Sequence, residues 1–219
     1  MAMNIDHLIK EISQEGAKKP LPNPMQVTAK WLVLMMVYCV VLVSFSGLRP
    51  DIAIKITQPL FLVEVMMMVI IGVVCAYAAS LLALPDSEQK PWIRFVPFVF
   101  LTFLLGILAY QIWSTQTLPL TDCLKLGHYQ CMIHIVAYAV MPAIVMFVTI
   151  KKAAPIKCCW VGSIVGLCVA SFSYAMMRLI EASDDPSTLV VWHLVPVFLI
   201  MIGMMMIGEM FFGKIWKKN

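Results

Sequence analysis

The sequence predicts an all-α polytopic membrane protein: a compact six-transmembrane-helix bundle with a short N-terminal cytoplasmic amphipathic helix. Three observations predict it. Of 219 residues, 62% are hydrophobic and only 13% are charged, whereas a soluble domain carries about 25% charged residues. Six apolar runs are 18 to 25 residues long, enough for a helix to cross roughly 30 Å of hydrocarbon. Lysine and arginine fall unequally on the two sides of those runs.

The amphipathic element comes first. Ile5, Leu8, Ile9 and Ile12 recur at helical spacing, with Asp6, His7, Lys10 and Glu11 filling the other faces. Such a stripe on about twelve residues is marginal alone and must bury itself against something. A membrane surface and a groove on a cytoplasmic protein are both open to it. Gly16 and the run AKKPLPNP end this helix in a stiff extended tether. The chain therefore divides into residues 1–30, helix and tether, and residues 31–219, the membrane domain.

The six runs are Trp31–Leu48, Leu60–Leu84, Phe95–Trp113, Met132–Ile150, Cys158–Met177 and Leu189–Phe212. Lipid demands helices, because each backbone donor and acceptor must be paired within its own segment. Proline falls mainly in the short connections, at Pro50, Pro59, Pro85, Pro91, Pro119, Pro155 and Pro186, marking helix ends. Pro142 interrupts the fourth run. One side holds twelve Lys and Arg; the other holds Arg49, Lys55, Lys125 and Arg178. The positive-inside rule then puts both termini in the cytoplasm.

Ionisable residues near or within spans require an account. Glu64, just inside the outer end of the second run, faces Arg178 and Arg49 on the same side, which predicts a structural ion pair. Cys123, His128, Cys131, His134 and His193 map to the outer face as a candidate sensing cluster. The spacing of His128, Cys131 and His134 does not converge on one ion from a single helix, so no metal site is predicted. Cys123 and Cys131 are close enough in sequence for a disulfide, though spacing alone does not require one. Nucleotide, protease and hydrolase motifs are missing, so neither catalysis nor a cofactor is expected. The basic residues are scattered, which argues against direct nucleic-acid contact.

Several short stretches carry a resemblance. Ser46-Gly47-Leu48-Arg49-Pro50-Asp51 is followed by Pro59-Leu60-Phe61-Leu62-Val63-Glu64, and Leu84-Pro85 ends the second run. Cys131 opens a run that continues through Pro142 to Lys151-Lys152-Ala153-Ala154-Pro155. Asp184-Asp185-Pro186 leads to Trp192-His193-Leu194 and Pro196. In this order the sequence resembles NrsF, the negative regulator of sigma F family of six-span bacterial membrane anti-sigma factors. The resemblance implies that the N-terminal segment, through Ile5, Leu8, Ile9 and Ile12, holds an extracytoplasmic-function sigma factor at the inner membrane. An external stress would release it. The family pattern also implies a second outer cysteine shortly before Asp184; this chain reads Glu181-Ala182-Ser183 there. A two-thiol sensor is therefore not expected at those positions. A small transporter or permease using Glu64, His134 and His193 is the alternative from another class, and its weakness is the absence of a midplane charge.

Overall fold

A computed structural model describes residues 23–84, 90–114, 129–151 and 158–216. Among these residues there are six helices long and apolar enough to cross a membrane, and there is no strand. They are α1 (Pro24–Ser46), α2 (Pro59–Leu82), α3 (Val96–Ser114), α4 (Tyr129–Lys151), α5 (Cys158–Ile180) and α6 (Val195–Trp216). A 3-10 turn, Pro91–Arg94, leads into α3, and a single helical turn, Ile52–Lys55, fills the connection between α1 and α2. The turn Pro186–Leu189 and a π-helical turn, Val190–Leu194, lead into α6. The helix bearing Ile5, Leu8, Ile9 and Ile12 lies outside the described residues, as do Cys123 and His128.

The bundle is organised around α5. Its span is 83% buried, against 17–39% for the others. Small residues make this possible, because they let helix backbones approach where lipid supplies no hydrophobic drive. A Cβ placed on Gly162 would collide with the Met204 carbonyl, and one on Gly166 would sit 2.8 Å from the Met201 Cα. Gly208 answers from α6, where an added Cβ would lie 2.7 Å from the Cys158 carbonyl oxygen. On its other side, α5 sends the Cys168 thiol to the Gly72 carbonyl of α2 at 3.2 Å. Large apolar side chains on the periphery remain uncovered, including Phe45 at 87% and Trp113 at 90% exposure. A surface of this kind suits hydrocarbon.

Two elements differ from the sequence expectation. The first apolar run was read as starting at Trp31, but α1 begins at Pro24. Asn23 caps it by accepting the Met25 N–H at 3.0 Å, and proline at the first helical position lacks a donor that would go unpaired there anyway. Pro142 was expected to interrupt the fourth run, yet α4 continues through it. Proline removes the hydrogen bond to the carbonyl four residues back, which here belongs to Tyr138. The Tyr38 hydroxyl of α1 donates to that carbonyl at 3.1 Å and replaces the lost partner. Left unpaired in an apolar bundle, that acceptor would otherwise cost on the order of 1 kcal/mol or more.

α1 packs lightly. Thr28 joins it to Ser80 of α2 at 3.0 Å, and Trp31 tilts against Phe172 of α5 at 5.8 Å. At its far end Ser46 Oγ lies 3.2 Å from the Tyr138 hydroxyl. Tyr138 thus meets α1 through both its backbone carbonyl and its side chain.

Candidate functional site

Polar side chains gather at the end of the bundle where α5 finishes and α6 begins. Two adjoining clusters form there, one of paired charges and one of ligand-type groups.

The charge cluster starts inside the bundle. Glu64, on the first turns of α2, and Arg178, near the end of α5, are 2% and 3% exposed by side chain. Arg178 Nη2 donates to Glu64 Oε2 at 3.3 Å. Arg178 Nε lies 2.9 Å from Oε1, a close charge contact whose N–H is not aligned on the oxygen. The Tyr174 hydroxyl donates to the same Oε1 at 2.5 Å. Tyr174 and Arg178 reach one carboxylate because residues four apart lie on the same helix face. Pairing is needed: an unpartnered carboxylate or guanidinium at this depth would be strongly disfavoured.

Arg178 also reaches outward. Its Nη1 donates to the Ser183 carbonyl at 2.6 Å and to Asp184 Oδ1 at 3.4 Å. Arg49 does not join Glu64, although both Arg49 and Arg178 were candidates for that pair. Instead it forks onto two aspartates: Nε to Asp51 at 2.7 Å, and Nη1 and Nη2 to Asp184 at 3.1 and 2.8 Å. The reason is local. The Arg49 backbone N–H is fixed on the Leu179 carbonyl at 3.0 Å, which holds its side chain over the end of α5 beside Asp184. Lys55 adds a third cation, with Nζ 2.9 Å from Asp184 Oδ2. Among the described residues, three carboxylates and three cations therefore balance here. Phe61 lies between the guanidinium groups of Arg49 and Arg178, with centroid distances of 5.5 and 5.0 Å.

This arrangement shifts the ionisation of its outer members. Partial burial works to raise the Asp184 carboxyl, but hydrogen bonds from Arg49 and Lys55, with both arginine charges, hold it at about 2. The Arg49 hydrogen bonds likewise hold Asp51 below the usual carboxylate range. Arg49 is pushed up, chiefly by Asp51.

The second cluster lies across Tyr174, whose ring meets His193 edge-on at 5.8 Å. His193 Nε2 is 3.0 Å from Glu181 Oε2, and the Cys131 thiol hydrogen-bonds the same carboxylate. His193 is 1% exposed and Cys131 is 6% exposed. Each ligand atom comes from a different segment: Cys131 from the first turn of α4, Glu181 from just after α5, His193 from the π turn. That turn follows a firm start, where Asp185 accepts the Thr188 N–H at 2.9 Å behind Pro186. A π turn widens the helix by one residue and re-aims its side chains, and such turns are common at functional sites. His134, grouped with these residues by sequence, is exposed and stacks on Tyr138 at 5.8 Å.

Tyr174 and Glu181 are among the members of the site that were not read from the sequence. Tyr174 could have been found from its place four residues before Arg178. Glu181 could have been found as an acid just beyond an apolar run, three residues after that arginine. Arginine and tyrosine in the final turns of a buried helix already imply an acceptor nearby.

The profile of one protein family, described as NrsF, negative regulator of sigma F, matches residues 14–212. The chain belongs to the NrsF family. Comparisons with curated proteins and with solved structures give no match. Both polar clusters, the first five spans, most of α6 and the residues joining α1 to α4 fall inside the NrsF match, and the stripe Ile5–Ile12 precedes it. The family name describes a negative regulator of a sigma factor, and a sigma factor is therefore the partner it implies.

Proposed function

We propose that this chain is an anti-sigma factor of the bacterial inner membrane that holds an extracytoplasmic-function sigma factor through residues 1–30 and releases it when its outer face is perturbed. It acts by binding and carries out no catalysis. The observation that carries this reading is the NrsF match across residues 14–212, set beside an apolar stripe at Ile5, Leu8, Ile9 and Ile12 for which the sequence offers no partner within its own segment. The stripe is suited to helix-in-groove docking. The twelve-to-four distribution of Lys and Arg supports cytoplasmic termini, which would place Cys131, Glu181 and His193 on the outer face.

A route from outer face to cytoplasmic segment is available through Tyr138. Its side chain packs beside Cys131, Ile135 and Met177, and its carbonyl holds Tyr38. α1 carries the N-terminal segment and is the least buried span. A change around Cys131 would thus be felt first by the helix easiest to move. We prefer regulation to permeation because Glu64 and Arg178 neutralise each other instead of standing open to a passing ion.

The test is capture of a sigma factor by the full-length protein in nanodiscs, with Leu8→Asp and Ile12→Asp expected to abolish it. Reporter repression in cells should fall in parallel. Unchanged capture and repression in both variants would refute the assignment of the stripe. Reporter fusions placing residue 1 in the periplasm would refute the topology.

A further inference from the structure

We propose that the groove between the C-terminal halves of α4 and α6 binds one anionic phospholipid, with an acyl chain along the groove and the phosphate at the level of Lys151 and Lys214. Both helices are committed to α5. α6 meets it through Met204 and Gly208, and α4 buries Ala143, Met146 and Ile150 in the core. The neighbouring faces of α4 and α6 are left without packing partners, and a groove of about 410 Å³ opens between them. Ile144, Phe147 and Val148 form one wall, and Ile207 and Phe211 form the other, with the small Ala143 beneath. The lining is apolar throughout, and its volume falls within the roughly 300–1,000 Å³ of ligand clefts.

Length and register decide the occupant. On α4 the groove runs from Val140 to Val148, about 12 Å at 1.5 Å per residue. That is less than half of the roughly 30 Å of hydrocarbon. A partner's transmembrane helix would find a seat for less than half its length, whereas an acyl chain of one leaflet matches it. Register supplies the headgroup. Ile144, Val148 and Lys151 follow one another at i, i+4 and i+7 on α4, and Ile207, Phe211 and Lys214 do the same on α6. The two helices run in the same direction, so the faces that form the groove end in a lysine position at the same end. Glu209 is the one acid in either helix, and it accepts a hydrogen bond from the Cys159 thiol of α5. No acid occupies the groove face of either helix. Under the proposed topology this end is cytoplasmic, where basic pockets between spans take anionic headgroups.

Lipid binding here does not depend on sigma capture, and its test reads the lipid directly. Full-length protein is released from nanodiscs of equal parts dioleoyl phosphatidylglycerol and dioleoyl phosphatidylcholine, and retained lipid is counted by native mass spectrometry. The expected result is one phosphatidylglycerol retained at least about fivefold over phosphatidylcholine, the order of one lysine's attraction. The double variant Lys151→Gln/Lys214→Gln should bring the two lipids to parity. Ile144→Trp, which fills the groove from a position 54% exposed, should lower retention of both. Lys30→Gln and the exposed Met36→Trp, both on α1, should change neither. In the unsubstituted protein, the melting temperature should rise with added phosphatidylglycerol and not with phosphatidylcholine. Equal retention of the two lipids by the unsubstituted protein, or an undiminished preference in the double lysine variant, would overturn the proposal. So would full retention in Ile144→Trp. A dimer that dissociates in Ile144→Trp would give the groove to a second copy of the chain and overturn it as well.

Discussion

The sharpest consequence of the charge cluster concerns Arg178→Met. The substitution keeps an unbranched apolar stem but removes the guanidinium that faces Glu64, the Ser183 carbonyl and Asp184. Glu64 is then left at 2% exposure with Tyr174 as the partner that remains from this group. Removing one member of a buried pair costs about 3–5 kcal/mol, because the survivor stays buried and uncompensated. For a chain of this length, that corresponds to a melting temperature lower by roughly 6–20 °C. Glu64→Leu should destabilise less, by about 2–3 kcal/mol, since Arg178 retains Ser183 and Asp184. The double variant Glu64→Leu/Arg178→Met should recover about 2 kcal/mol or more relative to the summed singles, because no unpaired charge remains. Intrinsic tryptophan fluorescence during thermal unfolding in one fixed detergent measures all four proteins. Additive losses, with no recovery in the double variant, would refute the claim that Glu64 and Arg178 are energetically coupled.

Gly162→Leu should separate α5 from α6, since any Cβ meets the Met204 carbonyl; overpacking costs about 1–3 kcal/mol or more, read as a lowered melting temperature with Gly106→Leu as an unaffected control. Tyr38→Phe should cost about 1 kcal/mol by leaving the Tyr138 carbonyl unpaired beside Pro142, and reporter repression should change while expression does not. Stability should also fall in acid. Asp184 is held at about 2 in the folded chain against an ordinary 3.8, so its contribution is complete above about pH 4 and is lost as pH falls towards 2. With its side chain 35% exposed, that contribution is about 1 kcal/mol after solvent screening. Asp184→Asn should be less stable near neutrality and should flatten that acid limb of the unfolding curve.

The spans were legible because lipid imposes one requirement on the sequence, a long uncharged run, and that requirement is local. Their ends were less so. Asn23-Pro24 reads equally as a stiff linker or as a capped helix start, and only packing of Thr28 and Trp31 against α2 and α5 selects the helix. Pro142 could not be resolved from α4 alone, since its tolerance depends on a hydroxyl one hundred residues earlier. The site divides in the same way. Arg49, Glu64, Arg178, Cys131 and His193 stood out as polar groups at apolar borders. Glu181 and Tyr174 did not, because their roles come from contacts between segments: Tyr174 on Glu64, Glu181 on His193 and Cys131. His134 was grouped with Cys131 because both map to the outer face; in the fold it is exposed and stacks on Tyr138.

The distribution of packing within the bundle constrains how release could work. Helices α2, α5 and α6 meet through glycines with no room for a Cβ, so they form a frame in which small shifts are expensive. α1 is attached differently, through a few polar contacts and 17% burial. On the proposed function, a perturbation at α4 and the π turn would therefore move α1 against the frame at far lower cost than it would move the frame itself. Coupling of this kind is reciprocal: if a perturbation around Cys131 weakens sigma binding by some factor, sigma binding must oppose that perturbation by the same factor. The sigma-bound protein would then hold Tyr38 on the Tyr138 carbonyl more tightly than the free protein does. A route that avoided Tyr138 would owe no such debt, which makes that single hydroxyl–carbonyl contact the point where the regulatory account meets the physics of a proline in a membrane helix.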